Sequence, residues 1–157
     1  MKRTILLTLI AAGTILVAAC GTGAASQPAA TVAPAGGSGG AADASGATEV
    51  DVTLADNTIQ STLTTFKAGV PYRFVIINNG NHLHNFNINT PVDKAGSLDA
   101  ALSTALLSVK QDKLPIGGGT TVTYTFPASA VGKDLEFSCL ITRHYEDGMR
   151  LAITVTG

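Results

Sequence analysis

Cysteine, histidine and methionine follow one another at equal spacing near the end of this chain. Cys139, His144 and Met149 form a Cys-x4-His-x4-Met run, and a second histidine, His84, lies upstream. A thiolate, a pair of imidazoles and a weak thioether form a donor set that suits one copper ion cycling between Cu(I) and Cu(II). These four residues therefore predict a mononuclear copper site that takes up and releases one electron.

Three of the four side chains fall on the inward faces of predicted strands. Neighbouring side chains on a strand point to opposite faces, so every second residue shares a face. The inward rows are Leu135-Phe137-Cys139, His84-Phe86-Ile88 and Met149-Leu151-Ile153-Val155, and the residues between them are mostly polar. His144 falls in the loop between the last two strands, where Gly148 allows a sharp turn back to Met149.

Each of these residues also has a simpler interpretation when it is taken alone. A lone buried Cys or Met is usually a packing residue, and a lone His is commonly a solvated loop residue or a hydrogen-bonded residue at a strand end. His82 shares its parity with His84 and is the alternative imidazole ligand. Asn85 directly follows His84, and we predict that its side chain hydrogen bonds to the Cys139 loop and holds the ligands in place. Solvation at a strand end is the alternative for Asn85.

Composition and charge argue against several classes of protein. The formal net charge is −1 and the chain has no Trp, so neither a basic nucleic-acid surface nor a base-stacking platform is predicted. The three histidines of the chain are too few for a multicopper oxidase. We predict no enzyme activity, because the alternative, a Cys139–His144 nucleophile pair, has no identifiable third group to orient it and an inward thiol is poorly placed for attack.

The start of the chain resembles a bacterial export and lipidation signal. Lys2 and Arg3 precede an apolar run that ends in Val17-Ala18-Ala19-Cys20. The run is too short to span a bilayer comfortably and has the shape of a signal peptide. The small residues before Cys20 resemble a lipobox, which implies cleavage before Cys20, lipid attachment to it and anchoring to the membrane outside the cytoplasm. An ordinary cleaved secretory signal is the alternative.

We therefore predict three segments. Residues 1–19 are the signal peptide, residues 20–47 are a lipidated flexible tether, and residues 48–157 are the folded domain. The tether is rich in Gly, Ala, Ser, Thr and Pro and has no apolar periodicity. Removal of the signal peptide takes away Lys2 and Arg3. Eight of the ten Lys and Arg residues and all eleven Asp and Glu residues remain, so the processed chain is mildly acidic.

Alternating apolar residues from Thr48 onward predict an all-β domain of about seven short strands. One segment has helical spacing of its apolar residues instead, namely Leu98, Ala101, Leu102, Ala105, Leu106 and Val109. Ser97 is suited to cap the start of this helix and Asp99 to its first turn. The predicted fold is a Greek-key β-sandwich with one short helix inserted around residues 97–109.

Over residues 48–157 the domain resembles the cupredoxins, the small type 1 blue copper proteins. The resemblance is carried by Phe66-Lys67-Ala68-Gly69, His84-Asn85-Phe86, Phe137-Ser138-Cys139, His144-Tyr145 and Gly148-Met149. The spacing is most similar to that of auracyanin-like and rusticyanin-like members. The resemblance implies an eight-stranded sandwich with one copper ion at one pole, and a mobile electron carrier between redox protein partners. We expect the carrier to be a monomer.

Two positions depart from the pattern of this family. Its members often have a small hydroxyl residue after the Cys and Pro-Gly before the second His, where this chain has Leu140 and Thr142-Arg143. Leu140 removes a hydroxyl that could join Asn85 in bracing the ligand loops. Arg143 places a cation beside the predicted exposed edge of His144, which favours an acidic electron partner.

Two further functions would use overlapping donor sets. One is an extracytoplasmic lipoprotein that binds and delivers copper, although delivery favours Met-rich or His-rich tracts and this chain has two Met. The other is a zinc site, since one Cys and a pair of His are chemically suitable for zinc. Met149 at its spacing is the feature against zinc.

Overall fold

The computed structural model describes residues 46–157. The predicted signal peptide, Cys20 and all but the end of the predicted tether lie outside the described residues. The strands are β1 Thr48–Ala55, β2 Thr58–Ser61, β3 Thr65–Lys67, β4 Pro71–Asn78, β5 Phe86–Asn89, β6 Leu107–Val109, β7 Gly119–Thr125, β8 Leu135–Ser138 and β9 Arg150–Thr156. The helices are α1 Val92–Ala95 and α2 Leu98–Ser103, and short 3-10 turns cover Gln111–Lys113 and Ala128–Ala130.

The strands form two sheets whose neighbours are often distant in the chain. One sheet has the order β2-β1-β4-β7 and the other the order β3-β9-β8-β5-β6. The β1–β4 and β3–β9 pairs are parallel, and the remaining pairs are antiparallel. The predicted all-β sandwich is confirmed. It has nine strands among residues 46–157, where the alternation predicted about seven and the family resemblance implied eight. Within the same residues, no helix has the length and apolar character needed to cross a membrane.

One hydrophobic core lies between the two sheets, and aromatic rings fill its centre. Phe66 from β3 has its ring centroid 4.9 Å from that of Phe126 and 5.0 Å from that of Tyr72. Phe137 from β8 lies 5.6 Å from Phe66 and 5.0 Å from Phe86 in β5. These distances are typical of attractive ring pairs, which add to the free energy gained by burying the rings. Cys139 and Met149 belong to the same buried cluster, so the core extends to the predicted donors.

A second, smaller core covers the outer face of the sheet that contains β5 and β8. It consists of Ala101, Leu140 and Tyr145, with residues of α1 and α2 packed against them. As a result, the polar rows that the alternation pattern predicted to face outward are buried, namely Asn87, Asn89, Glu136 and Ser138. The prediction of an alternating polar face was wrong for these strands, because the two helices and Tyr145 cover that face.

These buried polar side chains are satisfied by hydrogen bonds to one another. The Ser138 hydroxyl donates to Asn89 Oδ1 at 2.6 Å, and Asn89 Nδ2 donates to Glu136 Oε1 at 3.3 Å. Asn87 Nδ2 donates to the Ser138 carbonyl at 3.2 Å and accepts on Oδ1 from the Ser108 hydroxyl at 2.7 Å. Because buried polar groups are costly only when they lack partners, this network ties β5, β6 and β8 together without a large penalty.

The helix predicted for residues 97–109 is shorter than expected. Ser97 is the N-cap, with its side chain accepting from Ala100 N at 3.0 Å, and the helix ends at Ser103. The last part of the predicted helix is instead β6, which pairs antiparallel with β5. The apolar residues of this segment have helical spacing, but the segment forms a strand because pairing with the edge of β5 satisfies its backbone hydrogen bonds. The helix α1, which follows Pro91, was not predicted.

Glu136 makes the stability of the fold depend on pH. Burial raises the pKa of its carboxyl group, while hydrogen bonds from Tyr145 and Asn89 act in the opposite direction. The folded state therefore holds this proton more tightly than the unfolded chain, so the free energy of unfolding falls as pH rises from about 4 through the raised pKa. We expect Glu136→Gln to flatten this fall and to stabilise the fold by about 1 kcal/mol at pH 8.

The measurement is urea unfolding of the metal-free protein at pH 4 and pH 8. Glu146→Gln is the matched control, because Glu146 is exposed. Equal effects of the two substitutions on the pH dependence would contradict the assignment to burial of Glu136.

Candidate metal centre

Three of the predicted donor atoms converge at one end of the core. His84 Nδ1 lies 3.1 Å from His144 Nδ1 and 3.9 Å from Cys139 Sγ. His144 Nδ1 lies 3.5 Å from Cys139 Sγ. The ligating atoms of these three residues all lie within 4.8 Å of one another, which makes the group a possible metal site.

The backbone between β8 and β9 holds Cys139, His144 and Met149 together. Cys139 N donates to the Met149 carbonyl at 3.0 Å, and Met149 N donates to the His144 carbonyl at 2.9 Å. Gly148 has φ of 102° and Arg143 has φ of 73°, both in the left-handed region. The predicted sharp turn at Gly148 is therefore present. Arg143 adopts a conformation that non-glycine residues rarely occupy, at the position that precedes His144.

The spacing of the three atoms fits a trigonal metal site. A first-row metal ion with bonds of about 2.0 Å to nitrogen and about 2.3 Å to sulfur would set a nitrogen pair about 3.5 Å apart and a nitrogen–sulfur pair about 3.7 Å apart. The observed nitrogen–sulfur separations of 3.5 and 3.9 Å bracket the expected value, and the nitrogen–nitrogen separation of 3.1 Å is slightly shorter than expected. Met149 is fully buried, and backbone hydrogen bonds join it to His144 and Cys139, so its thioether would be the fourth and weakest donor to a metal ion held there.

Burial and hydrogen bonding control the protonation of the donors. Burial raises the pKa of the Cys139 thiol, and backbone N–H groups of Ile141 and Asn85 that point to its sulfur oppose this rise. Burial lowers the pKa of His84, while its hydrogen bond to Asp56 acts in the opposite direction. His84 is thus neutral and able to bind metal near pH 7, whereas the thiol must lose its proton when metal binds.

The structure separates the roles of His82 and His84. His84 is 1 % exposed and belongs to the three-donor group. The His82 side chain is 68 % exposed, and its Nδ1 lies 3.1 Å from Asp56 Oδ1. The sequence placed both histidines on the same face of a predicted strand. In the structure, His84 is the one that faces Cys139.

Asn85 connects the two ligand segments. Its Oδ1 accepts a hydrogen bond from Leu140 N at 2.8 Å and another from Asn87 Nδ2 at 2.8 Å. A hydroxyl group after Cys139 is not needed for this connection, because the backbone N–H of Leu140 is the donor. The absence of that hydroxyl therefore does not remove the brace.

We expect Asn85→Ala to destabilise the metal-free fold by about 1–3 kcal/mol. The substitution leaves the buried Leu140 N–H without its acceptor and takes one acceptor from Asn87 Nδ2. Urea unfolding measures the effect, and Asn79→Ala is the control, because Asn79 is exposed and the hydrogen bond at this residue is made by its backbone. Similar losses for both variants would contradict a brace at Asn85.

Asp56 is a residue of this region that the sequence did not single out. It follows β1, where Asp56-Asn57 was interpreted only as a turn, and its Oδ1 lies 3.3 Å from His84 Nε2. Partial desolvation would raise the pKa of Asp56, but hydrogen bonds from His82 and Asn81 outweigh it and lower the pKa to about 2. No local pattern could have identified this contact, because it joins residues that are 28 positions apart in the chain.

Comparison with known proteins gives a match in structure and not in sequence. No protein-family model matches the chain, and no curated protein is significantly similar to it. The dithionite-reduced auracyanin from Roseiflexus castenholzii superposes with a TM-score of 0.55 at 20 % identity, covering 71 % of this chain and all of that one. Two further structures are more distant. Auracyanin B superposes with a TM-score of 0.46 at 21 % identity, covering 69 % of this chain and 88 % of that one. Azurin Az-iso2 from Methylomonas sp. strain J superposes with a TM-score of 0.44 at 16 % identity, covering 69 % of this chain and 98 % of that one.

The fold and the group of donor residues together indicate a class of protein. Auracyanin is a cupredoxin, and this chain has the cupredoxin fold. His84, Cys139, His144 and Met149 are positioned to form a type 1 copper site at one end of its sandwich.

Proposed function

We propose that this protein is a one-electron carrier that uses a single type 1 copper ion held by His84, Cys139, His144 and Met149. The observation that supports the proposal best is the convergence of one buried thiol and two imidazole nitrogens at trigonal spacing. Copper, when bound, supplies the one-electron couple. The chain supplies three donor atoms that lie within 4.8 Å of one another.

A rigid donor set favours fast electron transfer. His84, Cys139 and Met149 are at most 1 % exposed, and the backbone bonds between Cys139, His144 and Met149 restrict how far the loop can open. Such a site resists the change of geometry that the two copper oxidation states would otherwise prefer, so little rearrangement accompanies each electron. Because all four positions would be filled by protein donors, a substrate has no open position at the metal, which supports an electron carrier over an enzyme.

His144 is the proposed exit for the electron. It is the donor with the most exposure, and the exposed Thr142 and Arg143 precede it. A cation at Arg143 favours redox protein partners that carry acidic residues at the contact, because complementary charge speeds encounter. In this proposal the mature chain is attached by lipid on Cys20 and exchanges electrons with membrane-associated partners outside the cytoplasm.

Spectroscopy of the full chain after addition of one equivalent of Cu(II) tests the function. The expected result is an intense visible thiolate-to-copper absorption band with narrow copper hyperfine splitting in electron paramagnetic resonance, bleached by a reductant and restored by an oxidant. A colourless protein with weak copper binding would overturn the proposal. Rapid loss of copper to a chelator would favour the copper-handling lipoprotein instead.

A further inference from the structure

The imidazole ring of His84 has a partner on each side. Its Nδ1 faces Cys139 and His144, and its Nε2 lies 3.3 Å from Asp56 Oδ1. The ring is almost completely buried, so water does not replace this carboxylate as a partner of Nε2. A carboxylate bonded to the outer nitrogen of a metal-binding imidazole fixes the ring and increases its basicity.

Asp56 is itself held in place by the loop that precedes His84. Asn81 N donates to both carboxylate oxygens at 3.0 and 3.2 Å, and Asn81 Nδ2 donates at 3.2 Å. His82 Nδ1 lies 3.1 Å from Asp56 Oδ1. The carboxylate therefore has a defined orientation and is not a freely rotating surface group.

Gly80 makes the close approach of Asp56 and His84 possible. A Cβ atom built on Gly80 would lie 2.5 Å from Asp56 Oδ1 and 2.6 Å from His84 Nε2. Both distances are far below van der Waals contact, so a side chain at this position would have to push the pair apart. Three separate segments of the chain thus meet at one hydrogen bond: the end of β1, the Gly80 loop and the approach to β5.

We propose that Asp56 is a positioning residue for the copper centre, acting through His84. Its carboxylate accepts the Nε2–H of His84, which leaves the lone pair of Nδ1 directed at the metal position, and its negative charge favours Cu(II) over Cu(I). The inference rests on the proposed copper function. It assigns to this chain a carboxylate–imidazole pair that lowers the reduction potential of the site.

The first test concerns the metal-free protein, and so it does not depend on copper. Long-range 1H–15N correlation spectra at pH 8 distinguish the two neutral tautomers of His84. We expect the Nε2–H tautomer in the wild type and a mixture of tautomers in Asp56→Ala. A mixture in the wild type, or an unchanged tautomer in Asp56→Ala, would overturn the positioning role.

The second test measures the reduction potential of the copper-loaded protein. Asp56→Asn keeps the size of the side chain and an oxygen that can accept from Nε2–H, but it removes the charge. We expect its preference for Cu(I) to rise by about tenfold, which corresponds to about 59 mV, with the visible band retained. Asp56→Ala should in addition lose about 10–100-fold in copper affinity.

Asp134→Asn is the matched control, because it removes the same charge from an exposed position just before β8, at the strand end opposite Cys139. An equal change in both variants, or none in Asp56→Asn, would overturn the effect on potential. Gly80→Ala should push Asp56 and His84 apart without altering the charge, and we expect it to weaken copper binding. This variant replaces the Asp56 variants as the test if those fold poorly. A wild-type protein without the thiolate-to-copper band would overturn the proposed function and the redox part of this inference, whereas the tautomer experiment would still decide the positioning role.

Discussion

Cys139→Ser is expected to abolish the visible thiolate-to-copper band and to lower Cu(II) affinity by more than about a hundredfold. Loss of an outer partner of a metal ligand already costs about 10–100-fold, and here the thiolate itself is removed. A serine hydroxyl is a harder donor that stays protonated near pH 7, so it neither forms the strong bond nor favours Cu(I). Absorption spectra during Cu(II) titration, with competition by a chelator of known affinity, measure both effects.

The side chain of serine is close in size to that of cysteine, so the fold should survive the substitution. The Asn85 and Ile141 N–H groups that point to the sulfur in the wild type can point to the hydroxyl oxygen instead. Met149→Leu is the matched control, because it would remove only the weak thioether donor and should keep the band while raising the reduction potential. A blue band that persists in Cys139→Ser would contradict the proposed site.

Phe66→Ala is expected to destabilise the metal-free fold by about 3–5 kcal/mol. Phe66 is 1 % exposed, and its ring contacts those of Tyr72, Phe74, Phe126 and Phe137. Its strand, β3, covers only Thr65–Lys67, and Phe66 is the one buried residue of that strand. Because single domains are stable by about 5–15 kcal/mol in total, this loss would bring the protein close to unfolding at room temperature.

Chemical unfolding followed by circular dichroism measures the loss. Ile116→Ala is the control, because Ile116 is 56 % exposed and its truncation removes little buried surface. We expect this control to change the free energy of unfolding by about 0.5 kcal/mol or less. A cost below about 1 kcal/mol for Phe66→Ala would contradict the placement of Phe66 in the closely packed centre of the core.

The local pattern of the sequence was sufficient for the class of fold. The alternation in β9 identifies its buried row, and the structure buries Ile153 and Val155 as expected. Val50, Val52 and Leu54 alternate in the same way from Thr48 onward and are also buried. The donor types and the spacing of Cys139, His144 and Met149 predicted a copper site. The structure brings two of these donors together with His84, and it places Asn85 where the brace was predicted.

The same local pattern was misleading wherever a second layer covers a strand. Asn87, Asn89, Glu136 and Ser138 alternate with apolar residues as an exposed face would, yet they are buried under α1, α2 and Tyr145. Likewise, Leu106 and Val109 continue the helical spacing of the preceding residues, but Leu107–Val109 is a strand that pairs with β5. The alternation of apolar and polar residues shows which side chains share a face of a strand. It does not show what packs against that face.

The sequence by itself therefore determined the all-β class, the inward rows and the chemical types of the donors, because these depend on residue identity and on a period of two along a strand. Only the tertiary structure decided that His84 rather than His82 faces Cys139, that Leu140 N–H is the donor to Asn85, and that Asp56 stands behind His84 with Gly80 leaving it room. Each of these contacts joins segments that are distant in the chain. Their distances are set by how the two sheets and the ligand loops pack, which no short stretch of sequence encodes.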